Sequence, residues 1–98
     1  MIQKDKRILA LLARLPMNER GWVIVDHWDA DLMAVGIAHP SDVRRLVYVS
    51  TFKKENGRYD YECEVPTGAG PDHFTTSDRG EDVEEGALLA ALERHLAH

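Results

Sequence analysis

The segment Asp26-His27-Trp28-Asp29-Ala30-Asp31 is the densest group of potential metal ligands in the chain. A calcium loop would need acids at alternating positions, then a glycine and a distal glutamate, but Leu32 and Met33 follow instead. On a strand, Asp26 and His27 point to opposite faces, so one ion could not easily hold both. A small metal-dependent enzyme built on Asp26, Asp29 and Asp31 would need a distant ligand such as His73. The simpler reading is a turn that exposes Asp29 and Asp31. Ser50 and Thr51 lack the G-x-S-x-G setting of a nucleophile elbow. Gly68, Gly70 and Gly80 are not followed by the Lys-Ser/Thr pair of a phosphate loop. Cys63 is the only cysteine, and in a strand with Tyr59 and Tyr61 it reads as a small core residue. Tyr48, Tyr59 and Tyr61 could stack nucleobases, but the acids beside them would repel a phosphate backbone. No catalytic residue, cofactor or metal is expected from these motifs.

What remains is a pattern of carboxylates. In Gly57-Arg58-Tyr59-Asp60-Tyr61-Glu62-Cys63-Glu64-Val65-Pro66 the apolar or amphipathic residues alternate with Asp60, Glu62 and Glu64. Alternation with a period of two puts all three acids on one face of a strand. Further acids follow at Asp72, Asp78, Glu81 and Asp82. Residues 1–59 carry ten Lys or Arg against seven Asp or Glu, whereas residues 60–85 carry nine acids against Arg79 alone. The formal net charge is −5. Such a balance argues against direct binding of nucleic acid, whose phosphates need basic surface. It suits a basic protein partner, whose encounter is accelerated by a complementary field.

The elements that position these acids are legible in outline. At 98 residues the chain makes one domain over 1–98, large enough for a modest core. No apolar run reaches the roughly 20 residues that span a bilayer, and the N-terminus does not read as a signal peptide. A lone cysteine fits a reducing cytoplasm. Ile8, Leu11, Leu12 and Leu15 recur at helical spacing over residues 4–15, and Pro16 ends that helix. Strands are expected over residues 22–28, 33–38, 45–53 and 58–65. Asn56-Gly57 favours a two-residue hairpin turn, which sets Lys53 opposite Asp60 and Phe52 opposite Tyr61. In that register Tyr48, Ser50, Phe52, Tyr61, Cys63 and Val65 share the face away from the acids. A loop is expected from Thr67 to about Gly80. A last helix then opens on Asp82 as N-cap with Glu85 completing a capping box. The expected fold is α+β: a four-stranded antiparallel meander with N- and C-terminal helices packed on one face. The acids of the fourth strand lie on the other.

With the strands laid out, Trp28-Asp29-Ala30-Asp31-Leu32, Gly36-Ile37-Ala38, Arg45-Leu46-Val47-Tyr48-Val49-Ser50-Thr51 and Tyr59-Asp60-Tyr61-Glu62-Cys63-Glu64 stand in a familiar order. This middle half of the chain resembles small bacterial immunity proteins of the contact-dependent growth inhibition type. The resemblance implies a cytoplasmic, non-enzymatic antidote that binds the C-terminal domain of a delivered toxin one to one and occludes it. Such toxins are often nucleases, including tRNA-cleaving ones, with basic substrate grooves. The expected contacts are Asp60, Glu62, Glu64, Asp72, Asp78, Glu81 and Asp82, with Asp29 and Asp31 as a second patch. The rival readings are the metal-dependent enzyme on the 26–31 segment and a regulatory module with an acidic protein-binding face.

Overall fold

A computed structural model describes residues 4–25, 31–68 and 73–97. Asp26, Asp29 and Asp72 of the expected sites lie outside these residues.

Helix α1 spans Lys6–Arg14, and Asp5 caps it by accepting from the backbone N–H groups of Arg7 at 2.8 Å and Ile8 at 3.2 Å. Leu15 is extended because Pro16 follows it, and the helix stops there. A single turn of helix, α2 (Met17–Arg20), occupies the expected turn and closes on Gly21 at φ +71°. The strands are β1 (Val23–Val25), β2 (Ala34–His39), β3 (Asp42–Ser50), β4 (Arg58–Pro66) and β5 (Phe74–Glu84), and α3 (Glu85–His95) completes the order. The sheet is an antiparallel meander in the order β1-β2-β3-β4-β5. No helix among the described residues is long and apolar enough to cross a membrane.

The sheet has five strands rather than four. β5 occupies the stretch expected to be a loop, and it carries almost no apolar alternation because it is an edge strand exposed along most of its length. The expected capping box fails with it. Asp82 sits inside β5 at φ +52°, and α3 starts after Glu84 without a side-chain cap. Asp82 belongs to a bulge: Tyr59 pairs with Val83 and Tyr61 with Gly80, so Glu81 and Asp82 together face Asp60.

The expected β3–β4 register is also corrected. Tyr61 pairs with Val49 instead of Phe52, and Asp60 with Ser50 instead of Lys53. The connection is longer than two residues and contains two successive turns, closed by Lys54 N–H to Thr51 O at 3.0 Å and Arg58 N–H to Glu55 O at 3.1 Å. Gly57 does take positive φ, at +82°, but so does Lys53, at +58°. Arg7 holds this loop from α1 by donating to the carbonyls of Thr51 and Lys54. The displacement is by an odd number of residues, so it exchanges the faces of β3. Val47 and Val49 point to the helices, and Tyr48 and Ser50 join the acids.

One core follows from this register. Val35, Ile37, Val47, Val49, Tyr59, Tyr61 and Cys63 cover one face of the sheet. Ile8, Leu11 and Leu15 of the N-terminal segment and Leu88, Ala91, Leu92 and Leu96 of the C-terminal segment pack on them. Both terminal helices therefore lie on the same face, and the β4 acids are left on the other.

Candidate functional site

The face opposite the helices is built by β3, β4 and β5. Tyr48 stands opposite Glu62, which stands opposite Arg79; Ser50 stands opposite Asp60, and Glu64 opposite Thr76. Directly opposed residues share a face, so one surface collects the odd and even acids of two strands. It is concave, with a volume of about 590 Å³. Five carboxylates line it, those of Asp31, Asp60, Glu62, Glu64 and Glu81, against the single cation Arg79. Phe52 and Phe74 also line it, and they are among the most exposed large apolar side chains, at 55% and 48%.

The acids are not equivalent. Asp60 is tied into the fold, 3.2 Å from the Lys54 ammonium and accepting the Asp82 N–H at 2.9 Å. Glu64 is almost buried, whereas Glu62 is half exposed and Glu81 exposed. Glu81 lies 3.2 Å from the Arg79 guanidinium. Asp31 reaches the concavity from the loop before β2, where its side chain accepts the Met33 N–H at 2.9 Å and its carbonyl accepts from Lys4 Nζ at 2.8 Å. Burial raises the pKa of Tyr48 above the ordinary phenol value, and the charges of Asp31, Glu62 and Asp60 act in the same direction. That phenol sits in a negative potential.

Two expected contacts are placed elsewhere. Asp78 stands opposite Cys63, on the helix side, where it meets Arg94 at 3.3 Å. Asp82, turned by the bulge, faces Arg58 at 3.3 Å. Phe52, Phe74 and Tyr48 of this surface were not expected as site residues. The first two could have been suspected from sequence as large apolar side chains outside any helical stripe. Tyr48 depended on the register, which the sequence misassigned.

The charge asymmetry along the chain is partly folded away. Arg14 pairs with Glu85, Arg20 with Glu93, Lys54 with Asp60, and Arg58 with both Asp82 and Glu84. The basic first part of the chain thus lies against the acidic second part. The concavity keeps its sign because its own lining is acidic.

Burial pushes the Cys63 thiol up to about 11, which suppresses the thiolate that a nucleophile requires. Among the described residues no group of three or more His, Cys, Asp and Glu side chains is placed to hold a metal ion.

His95, at the end of α3, is nearly buried, and its Nε2 lies 2.8 Å from the carbonyl oxygen of Glu64. A carbonyl only accepts, so Nε2 carries the proton and donates. The same residue's carbonyl accepts from Arg45 Nε at 2.7 Å, which fixes the helix end against β3 and β4. Burial lowers the His95 pKa; Arg45 adds to this, while the bond to Glu64 and the charge of Asp78 oppose it. The folded state therefore binds this proton less well than the unfolded chain. The resulting stability is fully present above about pH 6.5 and is lost as pH falls through the lower folded value. Denaturation titrations between pH 8 and pH 5 should show the parent losing more stability than His95→Gln, whose amide can still donate to Glu64. Equal losses would remove His95 as the cause.

The fold and the surface together define a small α+β domain with an acidic concavity on the sheet face opposite the helices. No family model, curated protein or solved structure matches the chain, so no relative's functional residues can be carried onto its positions.

Proposed function

We propose that the protein is a binding module whose acidic sheet face receives a basic protein. In particular, it acts as an immunity protein that neutralises a nuclease toxin domain by covering it one to one. The observation that carries this reading is the concavity itself: five carboxylates against one arginine, with two exposed phenylalanines in the same lining. Carboxylates facing Lys and Arg steer encounter and fix register. Exposed aromatic rings supply the apolar anchors that dominate binding energy at protein interfaces. A nuclease groove offers the matching chemistry, since it must be basic to hold phosphates. The resemblance to immunity proteins of the contact-dependent growth inhibition type points the same way. Action would be in the cytoplasm, where a single buried thiol remains reduced.

The test is inhibition by the protein of the toxin domain encoded beside its own gene. Nuclease activity should fall in proportion to added protein and vanish at about one equivalent. A regulatory module would bind without abolishing cleavage. Full nuclease activity in the presence of excess protein would end the immunity reading.

A further inference from the structure

A second pocket lies on the helix side of the sheet, between α1 and the β3–β4 connection, with a volume of about 310 Å³. Its lining includes Lys6, Arg7, Arg14 and Arg58, together with Asn56 and Tyr59, and contains no carboxylate. Three cations of α1, Lys6, Arg7 and Arg14, beside one small void are unexpected in a chain of net charge −5. We infer that this pocket is a binding site for a small phosphate-bearing molecule.

The arginines are held in place from behind. Arg7 donates to the carbonyls of Thr51 and Lys54 and lies 3.8 Å from Asp5. Arg14 donates through Nε and Nη2 to Glu85, and through Nη2 to the Tyr59 hydroxyl at 3.3 Å. Arg58 lines the void from the start of β4, while its guanidinium turns to the face of Asp60, donating through Nε to Asp82 at 3.3 Å and through Nη1 to Glu84 at 3.4 Å. These anchoring groups fix the guanidinium planes and reduce the mutual repulsion of the cations. They do not use every donor. Arg14 keeps Nη1, and Lys6 keeps its whole ammonium without a partner among the described residues. A phosphate accepts several charge-assisted bonds at once, and guanidinium groups match its oxygens in pairs. The Asn56 amide can add a neutral donor.

The shape selects a small ligand. A void of about 310 Å³ takes a phosphate with a modest substituent, whereas a nucleic acid strand needs an extended basic track. This pocket and the acidic concavity lie on opposite faces of the sheet, so the inference does not depend on the toxin reading.

The experiment is an amide-resolved NMR titration with inorganic phosphate, compared with chloride at matched ionic strength. Phosphate should give saturating shifts centred on Lys6, Arg7, Gly57 and Arg58, and chloride should not. Lys6→Gln with Arg14→Gln should weaken the apparent affinity at least about fivefold, since charge-assisted bonds are the stronger ones. Lys6→Gln alone, at an exposed side chain, guards against a folding effect and should weaken it in the same direction. Shifts that never saturate, or that chloride reproduces, would overturn the site. So would unchanged phosphate affinity in the folded variants.

Discussion

Replacing Leu92 with alanine is expected to destabilise the fold by about 2–5 kcal/mol, the usual cost of emptying a buried leucine site. Leu92 is fully buried in α3, within the cluster that joins both terminal helices to the sheet. Removing its branched end loses the transfer energy of those carbons and leaves a cavity. That cavity would be lined by side chains from several elements, which cannot all collapse into it. A domain of this size has a total stability of only about 5–15 kcal/mol, so the loss is a large fraction. Leu92 also holds the helix whose last turn places His95 under Glu64. Chemical denaturation gives the number through a shifted midpoint at constant slope. A loss well below 1 kcal/mol would mean that α3 is not packed on this sheet as described.

The second large effect is expected at Gly80→Ala. Gly80 lies on the edge strand directly opposite Tyr61, and the tyrosine ring folds across it. A Cβ built on Gly80 would come within 2.3 Å of a Tyr61 ring carbon. The ring must move, yet it is nearly buried on the helix side. An aromatic ring laid over a strand glycine replaces the side-chain contacts that glycine lacks, and one methyl group removes that arrangement. Overpacking of this kind costs about 1–3 kcal/mol. With roughly 4–8 °C of melting temperature per kcal/mol in a domain of this size, the shift is easily measured. Combining the substitution with Tyr61→Leu should make the two changes less than additive, because the clash needs the ring. Strict additivity would place the cost elsewhere.

These residues also show where the sequence speaks and where it is silent. The alternation through Tyr59 to Glu64 was readable because β4 has one buried and one exposed face, and the two faces demand different side chains. The terminal helices were readable for the same reason: each buries one apolar stripe. β5 was not, since an edge strand exposed on most positions has no need of alternation, and Asp82 and Glu85 imitated a helix start. The β3 register failed on a tertiary effect. Asn56-Gly57 signals a tight turn, but Lys53 at positive φ and the grip of Arg7 on the Thr51 and Lys54 carbonyls lengthen the connection. No local pattern announces a contact from a helix far earlier in the chain. The acidic face was therefore foreseen from β4 alone. Its partners Tyr48, Phe52 and Phe74, and the removal of Asp78 to the other side, came only with the fold.

The most direct measurement of the central claim is the affinity for the proposed toxin partner of a variant altered only at the more exposed acids of the concavity. Glu62→Gln with Glu81→Gln removes two charges while leaving Asp60 and Glu64, which are built into the strand framework, in place. Glu19→Gln, on the exposed part of α2, serves as the control. A melting curve on each preparation establishes that the fold is intact. Desolvated carboxylates facing Lys or Arg are worth several kcal/mol at an interface. The double variant should therefore bind at least about tenfold more weakly, or about 1.4 kcal/mol, and the control should bind like the parent. The parent's association rate should also fall as ionic strength rises. A folded double variant that binds the toxin domain as tightly as the parent, at a rate indifferent to salt, would contradict the assignment of this concavity as the binding surface.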